Sequence, residues 1–583
     1  MLTVTPDYPV ILHDGASARW LCFKGPYEVI TSGRLSEILP ALRRVETLVN
    51  ERRWYAAGFL SYEAAGAFDP ALRTHPASPG FPLLWFGLYP QPEEFTLPRP
   101  DYDAYSLGEI VPSVSRLEYS RAVQCIKEHI QAGNTYQVNY TMRLRAQFIG
   151  DPWQLFLAMV KAQSPGFAAW MDSGLHAICS ASPELFFRLE GDNLTCKPMK
   201  GTVKRGRTLD EDASLADWLH NSEKNRAENL MIVDMIRNDL GRVAEVGTVK
   251  VPALFEVERH PTLWQMTSTV TANCLKSVSE IMAALFPCAS ITGAPKVRTS
   301  QIITELEPDR RGIYTGCIGF IAPNRSAQFN VAIRTAVVDR QSGQAEYGSG
   351  GGIVWDSASS DEYSEALLKA RVLTEKFSEF SLLETLLWTP VEEFFLLDRH
   401  LKRLADSASY FSYTVDIPKI TKRLFEEASG FGRGPQRVRL LVDSGGDVDI
   451  QADPLTTGET LQLVRVRLAA EPVNSTDVFL YHKTTRRQVY EAARQSRPDC
   501  DDVLLWNEHG ELTESCIANV VVEIDGILYT PPVFSGLLAG TFRAWLLEQR
   551  RIRERVIQVG ELKRCKKIFL INSVRRWQEA LLL

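Results

Sequence analysis

Near residue 377 the sequence changes texture, and no single hydrophobic core accommodates what lies on both sides. Before it, helical and strand patterns are interleaved. EYSRAVQCIKEHIQAGN spaces Val123, Ile126 and Ile130 at helical intervals and stops at Gly133. TYQVNYTMRLRAQF alternates like a strand, SEKNRAENLMIVDMIRNDLGRV predicts an apolar helix from near Ser222 to near Gly241, and SDEYSEALLKARVLTEKF predicts an amphipathic one. After Phe377 the runs are shorter. FSLLETLLW and VEEFFLLD predict a strand hairpin, RHLKRLADSASYFS a helix, and VRLLVDS, LQLVRV, DVFLYH, DVLLWNEHGELTE and VVVEIDGILYTPP further strands. A chain of 583 residues exceeds one core in any case. We expect a large N-terminal unit of about 375 residues and a smaller one of about 205. Residues 1–110 form the opening section of the large unit, with PQPEEFTLPRPDYDAY as a linker, followed by 111–375, then 376–583.

Charge and cysteine use narrow the class. The formal net charge is −6 and no segment concentrates positive charge, so no nucleic-acid partner is expected. No run of about 18 apolar residues and no basic leader occurs, so no membrane association is expected and a cytoplasmic location is. The ten cysteines never form C-x-x-C, which predicts free thiols.

Chemistry concentrates around TCKPMKGTVKRGR (195–207), a basic stretch in an acidic chain. It reads as a solvated loop, an anion-binding turn or the seat of a reactive lysine. Glu184 lies sixteen residues before Lys200, and two strands with a turn between them return the lysine opposite the carboxylate. A carboxyl group and an amine facing one cavity make an acid and nucleophile pair. Glu228, Glu362 and Glu365, without His or Cys nearby, suit a hard cation that keeps waters, hence Mg2+; Glu362 and Glu365 share a helix face. SITGAPKVR, RRGIYTGCIGF, Arg334 and YGSGGGIVWDS offer backbone N–H groups, an arginine and a tyrosine to a carboxylate.

In this order, SPELF, KPMKGT, ENLMIVDMIRNDLGR, SITGAPK, RRGIYTGCIG, AIRT and GGGIVWDSxxxxEYxE resemble the chorismate-utilising enzymes, densely over residues 115–375. GFLSYEAAGAF resembles a piece of the same family's divergent N-terminal region. The resemblance implies an α/β sandwich with mainly antiparallel sheets. Lysine at position 200, in Pro198-Met199-Lys200-Gly201-Thr202, resembles the branch that aminates chorismate at carbon 4; the branch making anthranilate has alanine there. It implies Lys200 as nucleophile and Glu184 as acid and base. It implies Mg2+ on Glu228 and Glu365 with Glu362 in support, and substrate carboxylates on Thr292, Tyr314, Arg334 and the backbone at Gly350 and Gly352. Lys197, Lys204 and Arg205 are candidates for keeping Lys200 neutral or for meeting anionic substrate. Relatives often carry His where this chain has Gln265. The chain shows no glutaminase elbow, so ammonia would come from a separate glutamine amidotransferase subunit or from ammonium.

In the second unit Lys483 (YHKTTRR), Glu514 (LTESCIANVVV) and the glycine turn of GLLAGTFRAWLLE offer a Schiff-base lysine, an acid for a pyridine nitrogen and a helix N-terminus for phosphate. With HLKRL these resemble the fold-type IV pyridoxal phosphate enzymes, which include class IV aminotransferases and 4-amino-4-deoxychorismate lyase. The resemblance implies pyridoxal 5'-phosphate on Lys483, with Glu514, Arg403, Gly540 and Thr541 as cofactor ligands and Asn519 shaping the site. It starts short, at FSEFSLLETL, and Arg576 stands where relatives have Gly. A lyase consuming the first unit's product gives the two units a reason to share a chain. The whole would then turn chorismate and ammonia into 4-aminobenzoate and pyruvate for folate synthesis.

Overall fold

Strands Tyr55–Leu60 and Leu84–Tyr89 are buried along almost their whole length, so both of their faces need cover. A four-layer arrangement provides it. The computed structural model describes residues 9–374, 379–455 and 463–583. They form two units, one within Met1–Lys204 and Ala216–Phe377, the other within Arg205–Leu215 and Ser378–Leu583.

The first unit packs an eleven-stranded sheet on a ten-stranded one. Alternation along each strand decides which core a side chain enters. Phe59 and Trp85 of the ten-stranded sheet meet Val10, Leu12 and Met171 of the other between the sheets. Their neighbours Leu60 and Phe86 turn outward onto helices Leu35–Arg52, Glu223–Gly241 and Val278–Leu285. Helices Arg116–Gln131, Pro152–Gln163 and Ser359–Lys369 cover the outer face of the eleven-stranded sheet. Each fully buried Leu, Ile or Phe contributes about 1.5–3 kcal/mol. Ser222 caps the helix at Glu223 by accepting from the Asn225 N–H, so that helix starts where the sequence predicts, and Ser115 forms a capping box with Glu118 that starts the other at Arg116. The proline-rich stretch 90–105 is not a linker between separate bodies: Glu93–Phe95 pairs with Arg19–Phe23, and Tyr105–Leu107 pairs with Gln137–Gly150.

In the second unit a four-stranded sheet built on Leu382–Thr389 and Gln436–Val442 accompanies an eight-stranded sheet. In the larger sheet Val464–Leu468 runs parallel to both Asp502–Trp506 and Arg576–Leu582. Two residues of the expected strand LQLVRV, 461 and 462, lie outside the described residues, as does Phe377. The expected strand DVFLYH is instead a 3-10 turn, Val478–Leu480: Asp477 accepts from the Phe479 N–H and curls the chain, and Phe479 packs against Phe380 and Phe411. Arg205–Leu215 also belongs here. Arg205 stacks on Tyr410 at 4.4 Å, the Tyr410 hydroxyl donates to the Gly206 carbonyl at 2.7 Å, and Arg207 donates to the Tyr481 hydroxyl at 3.1 Å.

The result is the large antiparallel α/β sandwich with a distinct smaller α/β unit that the sequence predicts. All ten cysteines are free. Among the described residues no helix is long and apolar enough to cross a membrane.

Candidate active sites

Strand Leu185–Glu190 leaves Glu184, turns, and comes back as Asn193–Lys197 with Leu185 opposite Lys197. Strand Met199–Lys204 then carries Lys200. Gly201 sits at φ +96°, a conformation that favours glycine, and its carbonyl accepts from Gln265 Nε2 at 2.8 Å. The Lys200 carbonyl accepts from Asn229 Nδ2 at 3.3 Å, and Ser268 donates to Asn229 at 2.6 Å. Gln265, notable in the sequence only as a missing histidine, therefore helps hold the turn that aims Lys200.

The lysine amine reaches across to the other sheet. A Cβ at Gly352 would stand 2.4 Å from Lys200 Nζ and 2.8 Å from Gln137 Nε2, so a larger residue there would push the ends of these two side chains aside. Gln137 is fully buried, and neither its Nε2 nor its Oε1 has a hydrogen-bond partner among the described residues. An unengaged donor and acceptor thus stand beside the proposed nucleophile, a placement that sequence reasoning missed. Glu184 is buried and accepts from Ser290 Oγ at 2.6 Å. Burial pushes its carboxyl up to about 7, against the opposing pull of Ser290 and Lys200. Burial likewise pushes the Lys200 amine below the ordinary lysine range, and Lys369 is the cation that adds to this. Two of the three neighbours expected to do so, Lys197 and Arg205, are engaged by carboxylates. Lys197 pairs with Glu258, and Arg205 pairs with Asp212 in the second unit.

The carboxylates of Glu228, Glu362 and Glu365 all bear on Lys200. Glu362 accepts from Ser357 at 2.7 Å, and burial pushes its carboxyl up. Burial pushes Glu365 up too, but Lys369, at 2.8 Å, together with Lys200 and Arg334, outweighs it and holds the carboxyl below its usual range. Lys369 also donates to the Gly350 carbonyl at 2.8 Å. Among the described residues no three His, Cys, Asp or Glu side chains form a group that could hold a metal; the expected set is two direct carboxylates, Glu228 and Glu365, with Glu362 in support or through water. Helical spacing brings Glu362 and Glu365 onto one face but leaves Glu228 on another helix. Two carboxylates whose charge an ammonium meets still fit a hard divalent cation that keeps several waters.

Arg334 and Thr315 occupy the left-handed region, at φ +51° and +63°, strain of the kind that collects at functional positions. Arg334 donates to the Lys369 carbonyl at 3.2 Å. Tyr314 lies against Gly348, under the Arg143 guanidinium at 4.9 Å. Thr292 is already committed: its hydroxyl donates to the Cys288 carbonyl at 2.9 Å, its N–H to the Ala289 carbonyl at 3.3 Å, and its carbonyl accepts from the Asn139 N–H at 2.9 Å.

The second unit holds a cavity of about 540 Å³ lined by Lys483, Glu514, Asn519, Arg403, Gly540 and Thr541, which brings all the expected cofactor residues together. Burial, with Arg403 adding to it, lowers the Lys483 amine to about 8. Burial raises Glu514 to about 7, while it accepts from Tyr490 at 2.8 Å and Asn519 at 3.3 Å. Gly540 caps helix Thr541–Glu548, and a Cβ there would meet Asn519 at 2.0 Å. Arg403 is held by Glu384 at 2.6 Å. Burial pushes Glu384 up, but Arg403 and His400 together outweigh it and hold it at about 2. A buried amine, an acid and a glycine-started helix around one cavity fit a phosphorylated pyridine.

A sequence model of the chorismate binding enzymes matches residues 7–375, and one of class IV amino-transferases matches residues 381–581. The chain is 42% identical over 274 residues to a probable chloroplastic aminodeoxychorismate synthase of Oryza sativa subsp. japonica, covering 46% of this chain and 30% of that one. It is 41% identical over 266 residues to aminodeoxychorismate synthase component 1 of Escherichia coli K12, covering 45% and 58%. It thus spans between about a third and three-fifths of these relatives. Anthranilate synthase component I of Streptococcus pneumoniae TIGR4 shares the fold, with TM-score 0.54 at 22% identity over 64% of this chain and 94% of that one.

Proposed function

This chain belongs to the chorismate binding enzyme family, and from that membership we propose that its first unit aminates chorismate at carbon 4 to give 4-amino-4-deoxychorismate. One observation carries the reading: a buried amine pushed below the ordinary lysine range, Lys200, bears on a buried carboxyl pushed up to about 7, Glu184. Lys200 Nζ attacks carbon 2, the ring double bonds shift, and the carbon 4 hydroxyl leaves as water with a proton from Glu184. Ammonia then bonds to carbon 4, the double bonds shift back, and the carbon 2 bond to Lys200 breaks. Glu184 takes up a proton as ammonia adds and is ready for the next turnover. Each displacement offsets the other's shift, so the new nitrogen ends at carbon 4. Arg334 and the backbone at Gly350 and Gly352 would hold the substrate's carboxylates, and Thr292 and Tyr314 would shape their surroundings. Glu362 and Glu365, with Glu228 through water, would hold Mg2+, which supplies charge neutralisation at a substrate carboxylate. Ammonia would come from a separate glutamine amidotransferase subunit or from ammonium.

The second unit would remove pyruvate from that product to leave 4-aminobenzoate, a folate precursor. Pyridoxal 5'-phosphate supplies an electron sink when bound. Arg403, the Gly540 turn and Thr541 would hold its phosphate, and Glu514 its ring nitrogen. Lys483, with its depressed amine, is the group available to move the ring proton.

Incubation with chorismate, ammonium and Mg2+, with and without pyridoxal phosphate, followed by mass analysis, tests both activities. The expected products are 4-amino-4-deoxychorismate, and 4-aminobenzoate when the cofactor is added. Lys200→Ala should lose most amination at carbon 4. Ortho-aminobenzoate as the main wild-type product would overturn the assignment.

A further inference from the structure

The cavity of the second unit carries more positive charge than a cofactor phosphate engages. Arg403 and Lys483 have proposed cofactor roles, and Arg437 and Arg494 line the wall but are paired with Asp453 and Asp502. Arg575 lines it too, and Arg439 and Arg487 line it with no carboxylate partner among the described residues.

Their placement follows from local structure. In strand Gln436–Val442 the side chains of Val438, Leu440 and Val442 are fully buried in the core, so alternation puts Arg437 and Arg439 on the cavity face. Arg439 lies opposite Thr385, which also lines the cavity. Arg487 approaches from the segment after Lys483. It stacks on Tyr490 at 4.5 Å, donates to the Cys516 carbonyl, and its charge reaches the Lys483 amine. Among the described residues, two carboxylates share the wall with six arginines and Lys483: Glu514, held by Tyr490 and Asn519, and Glu491 of helix Gln488–Gln495. A partly shielded cavity with two uncompensated guanidiniums favours anions and disfavours neutral groups. An arginine matches a carboxylate with two parallel N–H donors.

We propose that Arg439 and Arg487 each bind one carboxylate of a dicarboxylate substrate, and that this pair selects an amine carrying two carboxylates over ordinary amino acids with apolar side chains. The inference rests on the lyase reading, in which the substrate breaks into two monocarboxylates, 4-aminobenzoate and pyruvate, and therefore holds both carboxylates while intact. A monocarboxylate would leave one guanidinium unpaired, and such an unmet group is what makes polar pockets selective.

The test uses the full chain, with and without bound pyridoxal phosphate, and titration calorimetry with two unreactive probes. 3-(Carboxymethoxy)benzoate carries two carboxylates, and 3-methoxybenzoate is the same ring with one. Because the first unit's proposed substrate is itself a dicarboxylate, the second unit is read separately, by the change that each probe causes in the visible absorption of bound pyridoxal phosphate. Wild type should prefer the diacid, and Arg439→Gln and Arg487→Gln should each weaken diacid binding about tenfold or more and collapse the preference. A preference that survives either substitution, or is absent from wild type, overturns the proposal. The wild-type comparison decides even if a variant fails to fold. Uptake of pyridoxal phosphate, read from its visible absorption, is a separate result: a wild type that never takes it up strikes the lyase reading, whereas a loaded wild type without diacid preference strikes the arginine pair alone.

Discussion

Ser290 is a small side chain with a measurable task. Its hydroxyl donates to Glu184 at 2.6 Å and stabilises the charged form of that carboxyl, opposing the burial that raises it to about 7. Removing the donor leaves burial less opposed, so the carboxyl rises further. If Glu184 acts as an acid, the rate falls as pH climbs through its value. Ser290→Ala should therefore shift the alkaline limb of the kcat/KM profile for chorismate to higher pH, and an unmoved limb would separate Ser290 from the proton transfer. The pair Glu184 and Lys200 was legible in the sequence because a strand, a turn and a return strand bring residues sixteen apart face to face. Ser290 and Gln137 were not legible. Each arrives from a distant element, and only burial beside the pair distinguishes them from ordinary polar residues. Proximity in sequence says little about direction: Lys197 turns to Glu258 and Arg205 to Asp212.

At the scale of elements, the first site is a meeting of two strand edges. Strand Gln344–Ile353 pairs with Gln137–Gly150 through consecutive glycines, with Gly350 opposite Thr141 and Gly352 opposite Asn139. A Cβ at Gly350 would meet the Tyr140 carbonyl at 2.2 Å, and one at Gly352 would meet the Lys200 amine. The run GSGGG, which reads in the sequence as a source of backbone N–H groups for a carboxylate, is strand, and its bareness leaves room for the lysine. Gly352→Ala should leave the fold's melting behaviour nearly unchanged while lowering the amination rate by about a hundredfold, since a displaced nucleophile of about 1 Å costs that much. A variant with wild-type rate would show that the amine needs no such clearance. Helix starts were readable because their caps are local; the 3-10 turn at Val478–Leu480 was not, because its aromatic partners Phe380 and Phe411 come from far along the chain.

At the scale of the molecule, the two proposed activities have separate lysines in separate units. Lys483→Ala should abolish uptake of pyridoxal phosphate and stop 4-aminobenzoate formation while chorismate is still consumed, so that the aminated intermediate accumulates and is found by mass. Simultaneous loss of chorismate consumption in a folded variant would mean that the units do not work independently. The division into two units was itself visible in the change of patterning near residue 377. The detour of Arg205–Leu215 into the second unit was not, because its cue is aromatic stacking on Tyr410 and Tyr481 rather than any change in composition.

That detour bears on how the protein is made. The ribosome releases residues 205–215 long before it has synthesised the residues they will join, so an early piece of the second unit is already outside while the rest is still being made. A fragment beginning near residue 378 would emerge without the partner of the Tyr410 hydroxyl, and one ending there would carry a segment with nothing to fold onto. Two reading frames cut at that point would not each encode a complete folding unit; the fusion has become a dependency written into the order of translation.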